Sequence, residues 1–160
     1  MHLAEPMQTT KFRVVALDTE VADAARKAAA ENRPDHRTVV VDAPDTAPCR
    51  HCLQWANPGD RVILFPYESI PAGGPYSERG PIFVHAESCP RYSDESYPEA
   101  FRGGRVFRAY DSGENIIDAV LPDGEEPETV IQKLFENPQT AFIHARSSTR
   151  GCYTFQIERA

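Results

Sequence analysis

Cys49-Arg50-His51-Cys52 places two thiols at the C-x-x-C spacing. Two thiolates so spaced can hold one tetrahedral zinc ion, with Zn–S bonds of about 2.3 Å. A closed site needs two more ligands, and His85 and Cys89 supply an H-x3-C pair. The combined pattern, C-x2-C…H-x3-C, is a Cys3His set for zinc. His51 is an alternative fourth ligand, though its place inside the C-x-x-C makes simultaneous ligation awkward. The same tetrapeptide has a histidine directly before its second cysteine, as in thioredoxin-like oxidoreductases. That arrangement lowers the first thiol's pKa when a long helix starts there. Here Leu53-Gln54-Trp55-Ala56 leaves barely one turn before the Asn57-Pro58-Gly59 break. A third reading makes all four cysteines (Cys49, Cys52, Cys89 and Cys152) small buried hydrophobes.

A second group lies near the C-terminus. Strand alternation puts Phe142, His144 and Arg146 on one face of a strand and Ile143 and Ala145 on the other. On the next strand, Tyr153, Phe155 and Ile157 share a parity suited to the core, leaving Cys152 and Thr154 opposite. If the hairpin aligns its polar faces, His144, Arg146, Cys152 and Thr154 form one surface. Such a surface could bind an anion or do acid–base work, with His144 activating Cys152 as a nucleophile. The plain alternative is a solvated sheet face with a structural histidine. The Gly73–Pro81 segment contributes Tyr76, Ser77 and Arg79 as ligand-binding candidates, since long loops in compact domains often carry function. It is not a phosphate loop, because it lacks the G-x-x-x-x-G-K-[ST] pattern and no helix follows it. The 14 arginines against 3 lysines suit carboxylate or phosphate ligands, or simply surface ion pairs.

The elements that must position these groups can be read in outline. Phe12 to Leu17 reads as a strand, and Glu20 to Asn32 as an Ala-rich helix with Asp18 or Thr19 to cap it. Thr38 to Val41, Arg61 to Phe65 and Ile82 to His85 read as strands, with a long loop over Pro66 to Gly80. Arg105 to Tyr110 and Ile116 to Leu121 form one hairpin, Ala141 to Arg146 and Tyr153 to Ile157 another. Pro127 to Phe135 is a helix between them, with acids near its positive end. Strands that follow each other without crossover helices predict an α+β domain: about seven or eight strands in a largely antiparallel sheet, with two helices. It spans 11–160 behind an N-terminal tail over 1–10, with no linker or internal repeat.

The chain has 160 residues and a formal charge of −7. That acidity argues against a nucleic-acid partner, which requires a basic face. No apolar run is long enough for a membrane span, and the N-terminus shows no secretory signal. The expectation is a soluble cytoplasmic protein.

Several strings are similar to the bacterial family named "domain of unknown function 1203". They are Pro48 to Leu53, Pro58 to Val62, Gly74 to His85, Phe101 to Gly104, Arg108 to Asp111, Phe142 to Arg146 and Gly151 to Phe155. The resemblance covers nearly the whole chain and implies no activity, so function must be argued from the residues. They point to a module for a small anionic ligand, bound near the Gly73–Pro81 loop and the His144/Arg146 strand, with a zinc site at Cys49, Cys52, His85 and Cys89. The alternative is a thiol- or metal-dependent enzyme, redox or hydrolytic, using Cys49/Cys52 or Cys152 with a histidine.

Overall fold

The computed structural model describes residues 10–160, so the tail expected over 1–10 lies, apart from Thr10, outside the described residues. Eight strands and two helices follow in the order β1 (Phe12–Val15), α1 (Thr19–Ala30), β2 (Arg37–Val40), β3 (Arg61–Ile70), β4 (Glu78–His85), β5 (Arg105–Tyr110), β6 (Ile116–Val120), α2 (Pro127–Glu136), β7 (Phe142–Ser147) and β8 (Tyr153–Arg159). The α+β class holds, but the strands divide into two sheets. One has the order β1-β8-β7-β5-β6 and the other β2-β3-β4, and all their strand pairings are antiparallel. No helix among the described residues is long and apolar enough to cross a membrane.

The helices follow from their side chains. In α2, Pro127 opens the first turn, where its missing N–H has no partner to lose. Val130, Ile131, Leu134 and Phe135 recur at helical spacing and are buried. They pack on Phe107, Ile143, Phe155 and Ile157 of the five-stranded sheet, forming the larger core. In α1 the buried face is Ala22, Ala25 and Ala28, small enough for close approach to the three-stranded sheet. Asp18 is its N-cap, but the Asp18 side chain makes no cap hydrogen bond; its Oδ1 accepts one from Arg91 Nη2 instead, at 3.1 Å. A second core joins Leu17, Ala22, Ile63, Phe65, Ile82 and Val84 to Cys49.

The expected long loop over Pro66 to Gly80 is mostly strand. β3 runs to Ile70 and β4 starts at Glu78, leaving 71–77 as the turn. Pro66 and Pro81 sit directly opposite each other in the ladder. Neither can donate to it, yet the strand survives because β2 pairs with β3 only as far as Leu64. Beyond that point β3 has no second neighbour, a position where proline is tolerated.

Candidate metal centre

The chain folds back on itself around Cys49. Pro48 and Trp55 bridge antiparallel, Cys49 N donates to Gln54 O at 2.9 Å, and Leu53 N donates to Cys49 O at 2.9 Å. Leu53 completes this knuckle at φ 55°, in the left-handed region, with its side chain fully buried in the larger core. No helix opens at Cys52, so the dipole that would favour a thioredoxin-like thiolate is missing. On its other side Cys49 bridges to Phe83, bringing the knuckle against the end of β4. His85 closes β4 and Cys89 follows four residues later.

One ligand atom each from Cys49, Cys52, His85 and Cys89 lies within 4.8 Å of all the others. Cys49 Sγ is 3.9 Å from Cys89 Sγ, and Cys52 Sγ is 3.5 Å from His85 Nδ1. A tetrahedral ion with Zn–S bonds of about 2.3 Å sets two sulfurs about 3.8 Å apart. The donor set therefore fits a closed four-coordinate zinc site with only small adjustment. His85 turns its other nitrogen, Nε2, toward Asp60 Oδ2 at 3.6 Å. A carboxylate behind the imidazole is the usual way a ligating histidine is oriented.

Donors converge on the sulfurs. The His85 main-chain N–H donates to Cys49 Sγ at 3.4 Å, and Arg26 Nη2 donates to Cys89 Sγ at 3.4 Å. Arg26 is steadied by its Nε bond to His85 O at 2.9 Å. His51 is not in the four-residue set; its Nδ1 lies 3.2 Å from Cys89 Sγ and its Nε2 2.8 Å from Thr19 Oγ1. It supports a ligand sulfur from behind. Three thiolates and a neutral imidazole around Zn2+ sum to −1, which Arg26 offsets. Without a cation these groups must share protons. Hydrogen bonds from Cys52 and Cys89 pull the Cys49 thiol far down, while Cys49 and then Cys89 push the Cys52 thiol far up. Cys49, then Cys89, raise His85 to about 10. A divalent cation would replace the shared protons.

The expected polar surface of His144, Arg146, Cys152 and Thr154 does not form. Between Ala145 and Arg146 the register slips, so Phe155 pairs with Ala145 while Tyr153 pairs with Arg146. Thr154 is the extra residue of a bulge, and the bulge reverses the parity beyond it. Tyr153 therefore joins His144 and Arg146, with ring centroids 4.8 Å apart for His144 and Tyr153. Thr154 accepts instead from Arg105 Nη1 at 2.8 Å. Nor is the face solvated, because His144 and Arg146 are both fully buried. Arg146 Nη1 pairs with Glu78 and donates to Gly151 O at 3.1 Å, and Nη2 donates to Ser69 Oγ at 3.2 Å. His144 Nδ1 lies 3.3 Å from Arg146 Nη2, and His144 Nε2 lies 3.1 Å from Gln156 Oε1. Burial, then Arg146, hold His144 down to about 3, so it stays neutral near pH 7. No hydrogen bond links it to Cys152 among the described residues.

Tyr76, Ser77 and Arg79 are exposed and make no hydrogen bond to His144 among the described residues; Arg79 Nη2 sits 3.8 Å from Asp35 Oδ2. Glu78, between them in sequence, turns inward and meets Arg146 and Arg108. The signal for this was present as strand alternation, once 78–85 is read as strand. A cleft of about 630 Å³ opens instead beside the knuckle, between the two sheets. Arg50, Trp55, Phe83, Arg105, Arg150 and Cys152 are among its lining residues.

The fold and site together define a small two-sheet α+β protein with a Cys3His cluster at the junction of its sheets. The chain belongs to the family described as "Protein of unknown function (DUF1203)", whose model matches residues 46–159. That span includes all four cluster residues but neither Arg26 nor Thr19. No curated protein and no solved structure matches the chain.

Proposed function

We propose that this protein is a small-molecule binding module stapled by a structural zinc ion. Zinc at Cys49, Cys52, His85 and Cys89 closes the knuckle, and the neighbouring cleft receives the ligand. The convergence of the four donor atoms within 4.8 Å carries the metal half of this reading. Four protein ligands leave no open position, which favours a structural over a catalytic ion. The test is metal content by mass spectrometry on untagged protein purified without added metal. Near-stoichiometric zinc, lost in Cys49→Ser and Cys89→Ser, is expected. Metal-free protein with four titratable thiols overturns the metal half.

One observation favours a second reading, a thiol-dependent enzyme: Cys152 lines the cleft and is partly accessible. It predicts selective alkylation of Cys152 that persists at low pH, whereas an ordinary thiol slows as pH falls.

A further inference from the structure

Two buried arginines in the cleft have no acidic partner among the described residues. Arg50 is 3% exposed and Arg105 8% exposed. Neither forms an ion pair among the described residues. Among the described residues Arg50 donates only to main-chain carbonyls, Tyr153 O at 2.8 Å through Nε and Pro48 O at 2.7 Å through Nη1. Arg105 gives its one hydrogen bond to the Thr154 hydroxyl, and its Nε is buried without an acceptor. Its guanidinium is flanked by Phe101 and Trp55, with ring centroids at 5.1 and 5.7 Å, and these offset only part of the charge. The third deeply buried arginine, Arg146, has Glu78 beside it. An isolated buried charge is expensive, and two like charges in one cleft more so. Burial accordingly lowers Arg50 to about 10, and Arg105 adds to that shift.

The lining says what would compensate these charges. Trp55, Phe83 and Pro81 form an apolar wall, while Ser147, Ser148 and Thr149 bring hydroxyl-bearing residues. Asp45, the one carboxylate residue in the lining, is exposed and makes no ion pair among the described residues. About 630 Å³ is within the range of pockets for metabolite-sized ligands.

We infer that the cleft between Arg50 and Arg105 binds a small organic oxyanion, its carboxylate or phosphate head on the two guanidinium groups and its apolar body on Trp55 and Phe83. This deepens the cleft half of the proposed function and does not rest on the metal half. The two are nonetheless linked, because Arg50 stands between Cys49 and Cys52. A metal that rigidifies the knuckle also presets Arg50, so zinc and oxyanion should each strengthen the other's binding.

Isothermal titration of the protein as purified with phenyl phosphate and with benzoate tests this, with benzamide as the uncharged control. Saturable one-to-one binding of at least one of the two anions, and none of benzamide, is expected. The better head group identifies the ligand as a phosphate or a carboxylate. Arg105→Gln should weaken binding by about 10-fold or more, the scale of a lost charge-assisted pair. Its melting temperature should stay equal or rise, since an unpaired buried charge has gone. Arg13→Gln, on the far edge strand, should bind like the parent. Absence of saturable binding by both anions overturns the inference, as does undiminished binding by a folded Arg105→Gln. Zinc-loaded protein that binds neither anion would refute this inference alone. Metal-free protein that still binds one would refute the metal reading alone.

Discussion

Cys49 is the fully buried member of the cluster, and its sulfur also accepts the His85 main-chain N–H. Cys49→Ser should therefore remove zinc binding and shift the urea midpoint down strongly. Cys152→Ser should leave both near the parent values, because Cys152 is outside the donor set. His144 gives a second prediction at this scale. Its ordinary pKa of 6.5 falls to about 3 in the fold. Below pH 6.5 the unfolded chain takes up a proton that the folded chain refuses until about pH 3. The stability due to the neutral imidazole is complete above 6.5 and is lost as pH falls toward 3. The slope is at most about 1.4 kcal/mol per pH unit. Urea titrations of parent and His144→Gln between these limits should show a shallower acid loss in the variant. Parallel curves would exclude His144 as a source of the pH dependence.

At the scale of elements, the pairing of Glu78 on β4 with Arg146 on β7 ties the two sheets together. Arg146 is fully buried and also reaches Ser69 of β3, so the β3–β4 hairpin end is anchored to the larger sheet by one guanidinium. Glu78→Gln leaves that charge buried and uncompensated. It should destabilise the fold by roughly 3 kcal/mol, the scale for breaking one partner of a buried pair. Glu78→Gln combined with Arg146→Met should recover much of that loss in a denaturant series. Equal destabilisation by the single and double variants would show the pair to be incidental. The bulge at Thr154 belongs to the same account. Deleting Thr154 would make the ladder regular while keeping Tyr153 opposite Arg146, so Tyr153 should stay on the face of His144.

Across the whole molecule, the knuckle joins the two cores. Leu53 packs in one and Cys49 in the other, with the proposed metal between them. A strong chelator should lower the calorimetric melting temperature by more than about 10 °C, since each kcal/mol of lost stability shifts a domain of this size by about 2–4 °C. Re-addition of zinc should restore it, and an unchanged melting curve would rule out a metal staple. Residue types and local periodicity were enough to read the α+β class, both helices and the C-terminal hairpins. The Cys49, Cys52, His85 and Cys89 set was also legible, because ligand chemistry and the C-x-x-C spacing are local properties. Strand alternation was legible too, but it holds only while the register is unbroken, and the Thr154 bulge breaks it. The strand character of 66–70 and 78–81 was hidden by prolines that only an open ladder edge tolerates. Which arginines lack a counterion was invisible, since Arg50 and Arg105 are 55 residues apart. Composition settles what groups the chain carries, whereas desolvation and pairing depend on long-range packing. That packing makes Arg146 an anchor and leaves Arg50 and Arg105 in a cleft with no ion-pair partner among the described residues.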